Sequence, residues 1–104
     1  MTKQKTQAEQ IRTLCEAFAN MKISDKRKKE RMIDMWNNYT EMGRVWAEDR
    51  GAHMEAATWR GFYGAVTISI LNQLTIEDCV AYINEWADNL ELFERGEWDA
   101  RNIF

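Results

Sequence analysis

The sequence predicts an all-α fold: a four-helix bundle-like single domain with a short docked C-terminal tail. Three observations carry that prediction. Proline is absent from all 104 residues, so no ring clash forces a helix to kink or stop. Met32, Met35, Trp36, Tyr39, Met42, Gly43 and Trp46 recur at the three- and four-residue steps of a helix that buries one face. Thr6, Ser24 and Thr75 each stand just before an apolar-periodic run, where an N-cap belongs.

The first helix is predicted over about 7–22. Thr6 and Glu9 form a capping box, and Ile11, Leu14, Cys15, Phe18 and Met21 make its apolar stripe. Ser24-Asp25 opens the second helix, with Ile23 placed as a staple, and Gly51 closes it at about residue 50. Twenty-six residues make a rod of about 39 Å, longer than the roughly 34 Å diameter of a compact sphere of this chain length. The helix is therefore expected either to bend at Gly43 or to project, carrying Trp46 toward a partner.

The third helix is predicted over about 52–73. Between Ala56 and Leu71 its only charge is Arg60, which marks it as the central helix. Ala57, Gly61, Gly64, Ala65 and Ile68 give it a slim side for a close neighbour; Trp59, Phe62, Tyr63, Val66 and Ile70 give it a bulky one. Val66 to Ile70 also alternates with the period of a strand, but no second such run exists to pair with it. Thr75 and Asp78 open the fourth helix, about 76–95, whose stripe is Cys79, Ile83, Trp86, Leu90 and Phe93 and whose stop is Gly96. Trp98, Ile103 and Phe104 make the tail too apolar to float free, so it folds back on the bundle.

Several function classes fall away on composition. The longest charge-free stretch, Gly61 to Ile76, is sixteen residues and polar in places, too short to span a bilayer. The opening MTKQKTQAEQ has no apolar core of a secretory leader. Cys15 and Cys79 lie on apolar faces without metal or redox spacing. The expectation is a cytoplasmic protein with two reduced, buried thiols and no membrane contact.

The single histidine, His53, is too little for a nucleophilic triad or a histidine-based metal site. Glu48, Asp49 and Glu55 around it read as a solvated polar turn. On the fourth helix, Glu85-x-x-Asp88 and Glu91-x-x-Glu94 place carboxylates on one face. Metal-assisted phosphate chemistry needs a facing acidic pair, which the other helices do not offer at that spacing. No catalytic residue, cofactor or metal is expected, and the chain is not read as an enzyme.

Charge is divided unevenly: residues 1–31 carry nine Lys/Arg and four Asp/Glu, residues 32–104 five and thirteen. The run Lys26-Arg27-Lys28-Lys29-Glu30-Arg31 places cations at a helix N-terminus, against the macrodipole, and a local conflict of that kind points to function. The leading expectation is a small protein-interaction module, an accessory or inhibitory factor of phage or mobile-element type, that binds a larger protein and self-associates. Trp36, Tyr39, Met42 and Trp46 are its expected apolar anchors; Lys26, Arg27, Lys28 and Lys29 are its steering charges. Two alternatives remain. The basic run could bind nucleic acid, although no aromatic residue interleaves it. Or Glu77, Asp78, Glu85, Asp88, Glu91 and Glu94 could imitate nucleic-acid phosphates, since Thr75 to Glu94 contains no Lys or Arg.

Overall fold

A computed structural model describes residues 6–98. The chain forms α1 (Gln7–Ala19), α2 (Asp25–Asp49), α3 (His53–Ala65), the single turn α4 (Ile68–Leu71) and α5 (Ile76–Glu94), with no strand among the described residues. The fold is all-α, as the periodicity predicts.

The helix ends follow from the capping residues. Thr6, Ser24 and Thr75 are extended, and each hydroxyl accepts a backbone N–H three residues on: Glu9 at 3.1 Å, Arg27 at 3.3 Å and Asp78 at 3.1 Å. Gly51 and Gly96 close α2 and α5 with φ of 73° and 74°, a left-handed conformation that glycine adopts without a Cβ penalty. Beyond them, Ala52 N–H donates to Ala47 O and Glu97 N–H to Leu92 O, each at 2.9 Å, completing Schellman closures.

The predicted third helix over 52–73 is broken. Val66 (φ −109°, ψ 108°) and Thr67 (φ −121°, ψ 155°) are extended, so α3 stops at Ala65 and α4 restarts at Ile68. The period-two pattern of Val66–Ile70 therefore reflected a real local preference of β-branched residues, confined to two positions. The break is held by the rest of the fold: Val66 is buried, Tyr82 Oη donates to Ala65 O at 2.7 Å, and Thr67 Oγ1 caps Ile70 N–H at 3.3 Å. Nor is α3 the central helix. Its slim side faces solvent, with Ala57, Gly61, Gly64 and Ile68 all exposed. Freedom from charge does not place α3 at the centre, because such small residues have little apolar area to bury.

The centre is α2, which packs against each of the other four helices. At 25 residues it is about 37 Å long, nearly the longest dimension of a molecule measuring 41 × 38 × 23 Å. A flat slab accommodates a helix that a sphere would not, so the expected projecting end does not occur: Gly43 and Ala47 are buried in its far half. The predicted seam nonetheless divides. Met32, Met35, Trp36 and Gly43 are buried, whereas Met42 and Trp46 face outward at 63% and 59% exposure. The buried line continues instead through Thr40, Gly43 and Ala47. Thr40 disguised it in the sequence; its hydroxyl donates to Trp36 O at 2.9 Å, which lets a polar residue sit in the core.

At Gly43 a side chain of α3 reaches the α2 backbone. The Trp59 ring lies on the α2 backbone there, in the space a Cβ would occupy. Trp59 continues into a cluster of Phe62, Trp86, Phe93 and Trp98, with neighbouring ring centroids 5.2–6.2 Å apart. Trp98 is the part of the predicted tail within the described residues, and it packs on the core; Ile103 and Phe104 lie outside them. Gly43→Ala should cost about 1–3 kcal/mol by overpacking against Trp59. Gly61→Ala, on an open helix surface, should instead stabilise by about 0.5–1 kcal/mol. Urea unfolding of the two variants checks both signs.

Candidate interaction surface

The four expected anchors part company. Trp36 is fully buried and its indole N–H donates to Phe62 O at 2.8 Å, so it fastens α2 to α3 and is not an accessible anchor. Tyr39 is half-buried, its hydroxyl donating to Gln10 Oε1 at 2.8 Å. Met42 and Trp46 are exposed and are joined by Val45, at 42% exposure, which the sequence reading passed over. Its signal was there: Val45 follows Met42 by three residues. The three form a shallow apolar surface between Glu41 and Asp49. The Arg50 guanidinium lies 3.8 Å from the centroid of the Trp46 ring and covers one of its faces.

The steering charges also divide. Lys29 turns inward, its Nζ donating at 2.6 Å to Leu74 O in the turn before α5. This lysine satisfies a carbonyl that no helix uses, a structural task. Lys26, Arg27 and Lys28 form no ion pair with a described residue. Nineteen residues separate Arg27 from Trp46, about 28 Å along the helix axis. The fold therefore leaves cations and anchors at opposite ends of α2.

The acidic face of α5 is partly occupied from across the bundle. Arg12 on α1 pairs with Asp88 and with Glu91, and Arg95 reaches Glu91 at 3.6 Å. The Glu94 carboxylate accepts the N–H groups of Gln7 at 3.2 Å and Ala8 at 3.0 Å, capping the free end of α1. Glu77, Asp78 and Glu85 are exposed and make no ion pair with described residues. The absence of Lys and Arg along α5 did not foretell Arg12, because α1 supplies it from 76 residues away. Desolvation at the α1–α5 contact raises the Glu94 carboxyl above its ordinary range, aided by nearby Glu91 and Glu9 and opposed by the two N–H bonds.

Around His53, two of the three carboxylates belong to arginines. Glu48 pairs with Arg44 and Arg60, and Glu55 with Arg50, which leaves His53 exposed at the start of α3. Hydrogen bonds from Arg44 hold the Glu41 and Glu48 carboxyls below the usual range. The described residues contain no group of three or more His, Cys, Asp or Glu placed to hold a metal ion. Cys15 and Cys79 are free and buried. Burial, with Cys79 nearby, pushes the Cys15 thiol up to about 12, and burial raises Cys79 as well. Both are thus protonated at neutral pH and poor nucleophiles. No helix among the described residues is long and apolar enough to cross a membrane.

Comparison with protein-family models, with curated proteins and with solved structures gave no match. Of the features above, the apolar patch of Met42, Val45 and Trp46 has no structural task assigned to it.

Two substitutions should separate anchor from core. Trp36→Ala should cost about 3–5 kcal/mol of folding stability, while Trp46→Ala, at a largely exposed site, should cost under about 1 kcal/mol; thermal and urea melts compare them. Glu94 gives a pH signature. Because its folded carboxyl is raised, the folded state holds a proton that the unfolded chain has released, so its contribution to stability falls as pH rises through that window. As pH rises from the ordinary glutamate range upward, wild type should lose stability relative to Glu94→Gln. A difference that grows the other way would refute the assignment.

Proposed function

We propose that the chain is a non-enzymatic protein-interaction module, an accessory or inhibitory factor that binds a larger protein. The observation that carries this reading is the exposure of large apolar side chains on two faces of so small a molecule. One face is the Met42, Val45 and Trp46 patch on α2. The other surrounds the α3–α4 break, where Tyr63, Ile68 and Ile70 are exposed at 45%, 52% and 37%. Beside them Gly61 and Gly64 have open space above their backbone, so a partner helix can approach closely. Contiguous apolar surface held in water is destabilising unless something covers it, and it marks contact sites in soluble proteins. Met and Trp suit that role, one adaptable and the other large and rigid.

The acidic-mimic reading is weaker, since Arg12, Arg95 and the α1 N-terminus take up Asp88, Glu91 and Glu94. The nucleic-acid reading keeps Lys26, Arg27 and Lys28 but has no aromatic platform beside them. Tagged wild type, Trp46→Glu and Ile68→Glu, expressed in the native host and recovered with nuclease treatment, should distinguish these. A discrete larger protein should accompany wild type and be lost from one of the two variants. The same background from all three proteins would overturn the reading. So would a partner that disappears on nuclease treatment, which would move the assignment to the basic end of α2.

A further inference from the structure

We propose that the solvent face of α2 pairs with the same face of a second copy, antiparallel, across a two-fold axis at Asn38. The inference rests on the reading of this face as a contact surface and names what covers it. Arg27, Arg31 and Asp34 lead up to Asn38; Met42, Val45 and Asp49 lead away from it; every one of them is exposed. Their spacing is four, three, four, four, three, four, so all lie within about 40° of one line along the helix.

This line is complementary to its own reverse. A two-fold axis at Asn38 sets each residue opposite the one equally far on the other side. Arg27 and Asp49 both stand eleven residues from Asn38, Arg31 and Val45 seven, Asp34 and Met42 four. Arg27 would meet Asp49 of the partner subunit, and both lack an ion pair with any described residue of their own chain. The Arg31 stem would cover Val45 of the partner subunit, as long cationic side chains cover apolar surface. Met42 of the partner subunit would arrive level with Asp34, where a groove of about 290 Å³ opens between α1 and α2 over Leu14, Phe18, Met35 and Tyr39. The axis stands perpendicular to both helices, so it keeps the two α1 helices on one side of the pair. By helical angle Met42 lies on the side of Asn38 that Met35 and Tyr39 share, so it points toward that groove.

Charge selects this arrangement over its rivals. A parallel pairing would set Arg27 on Arg27 and Asp49 on Asp49. A two-fold axis at the centre of the apolar patch, near Val45, would set Glu41 against Asp49 and leave Arg27 unused. The antiparallel register at Asn38 joins opposite charges twice and lays Met42 and Val45 of each α2 against the basic half of the other, while Trp46, about 80° from this line, stays outside the pairing. It also supplies what a single molecule cannot, since cations and anchors lie about 28 Å apart along one helix.

Sedimentation equilibrium of the full chain tests this. Wild type should dimerise by roughly 50 µM, and Arg27→Glu and Asp49→Arg should each weaken dimerisation roughly tenfold. The double variant, with the pair reversed, should recover most of that loss. Asn38→Cys should form a disulfide-linked dimer under mild oxidation while Asp34→Cys does not; the native thiols are buried and do not compete. Because these positions are exposed, all variants should keep the wild-type helical spectrum. A wild type that stays monomeric to roughly 100 µM, a double variant no better than the single ones, or equal crosslinking at the two cysteine positions would each overturn the pairing. A monomer whose Trp46→Glu variant loses a host protein would sink the pairing alone; a dimer that recovers no host protein would sink only the accessory-factor reading.

Discussion

The fold depends on one close approach, the Trp59 ring lying against the α2 backbone at Gly43. Only glycine leaves room for an indole at that distance. The Gly51 turn sends α3 back along α2, and the Trp59 contact holds it there. From that point the aromatic cluster spreads through Phe62 to Trp86 and through Phe93 to Trp98, which draws α5 and the residues after it onto α3. Trp36 secures the same junction from the α2 side through its bond to Phe62 O. A rigid junction on one side of α2 leaves the opposite side uncovered. The exposed apolar face of Met42, Val45 and Trp46 is thus a consequence of where the indoles went.

Polar contacts divide the labour differently. The α1–α5 pair is fastened by Arg12, which bridges Asp88 and Glu91, and by Glu94, which caps α1. Exposed ion pairs contribute little individually, so the Glu94 cap matters more, since it satisfies two backbone donors. Two breaks in helical structure are closed by side chains from elsewhere: Tyr82 takes the last carbonyl of α3, and Lys29 takes the carbonyl of Leu74 before α5. A cation that reads as a steering charge in the sequence is here a strut. Lys26, Arg27 and Lys28, without an ion pair among the described residues, keep the external character that Lys29 has lost.

What was legible in the sequence was local. Thr6, Ser24, Thr75, Gly51 and Gly96 announce their caps through chemistry that depends on a few neighbouring residues, and they sit where they were read. The break at Val66–Thr67 was visible as alternation but was outweighed by the lack of a second strand; an extended pair needs no strand partner when Val66 is buried and Thr67 caps. The candidate surface was legible in part. Met42 and Trp46 were singled out, yet Trp36 on the same stripe is core, because helical spacing records a face without recording which edge of it a neighbour covers. Thr40 concealed the true centre of that face, and Arg12 concealed the neutralised half of α5. Both depend on contacts between residues distant in sequence or on a hydrogen bond that periodicity does not register.

The two thiols offer a use beyond their place in the core. Cys15 sits on α1 and Cys79 on α5, both wholly enclosed and held as protonated sulfur at neutral pH. A thiol in that state reacts only when the structure around it opens. Each cysteine is therefore a built-in clock for the breathing of its own helix, read by the rate at which an added reagent labels it. Equal rates would mean that the molecule opens as one unit. A faster rate at Cys15 would mean that α1, which takes no part in the aromatic junction, peels away before that junction yields.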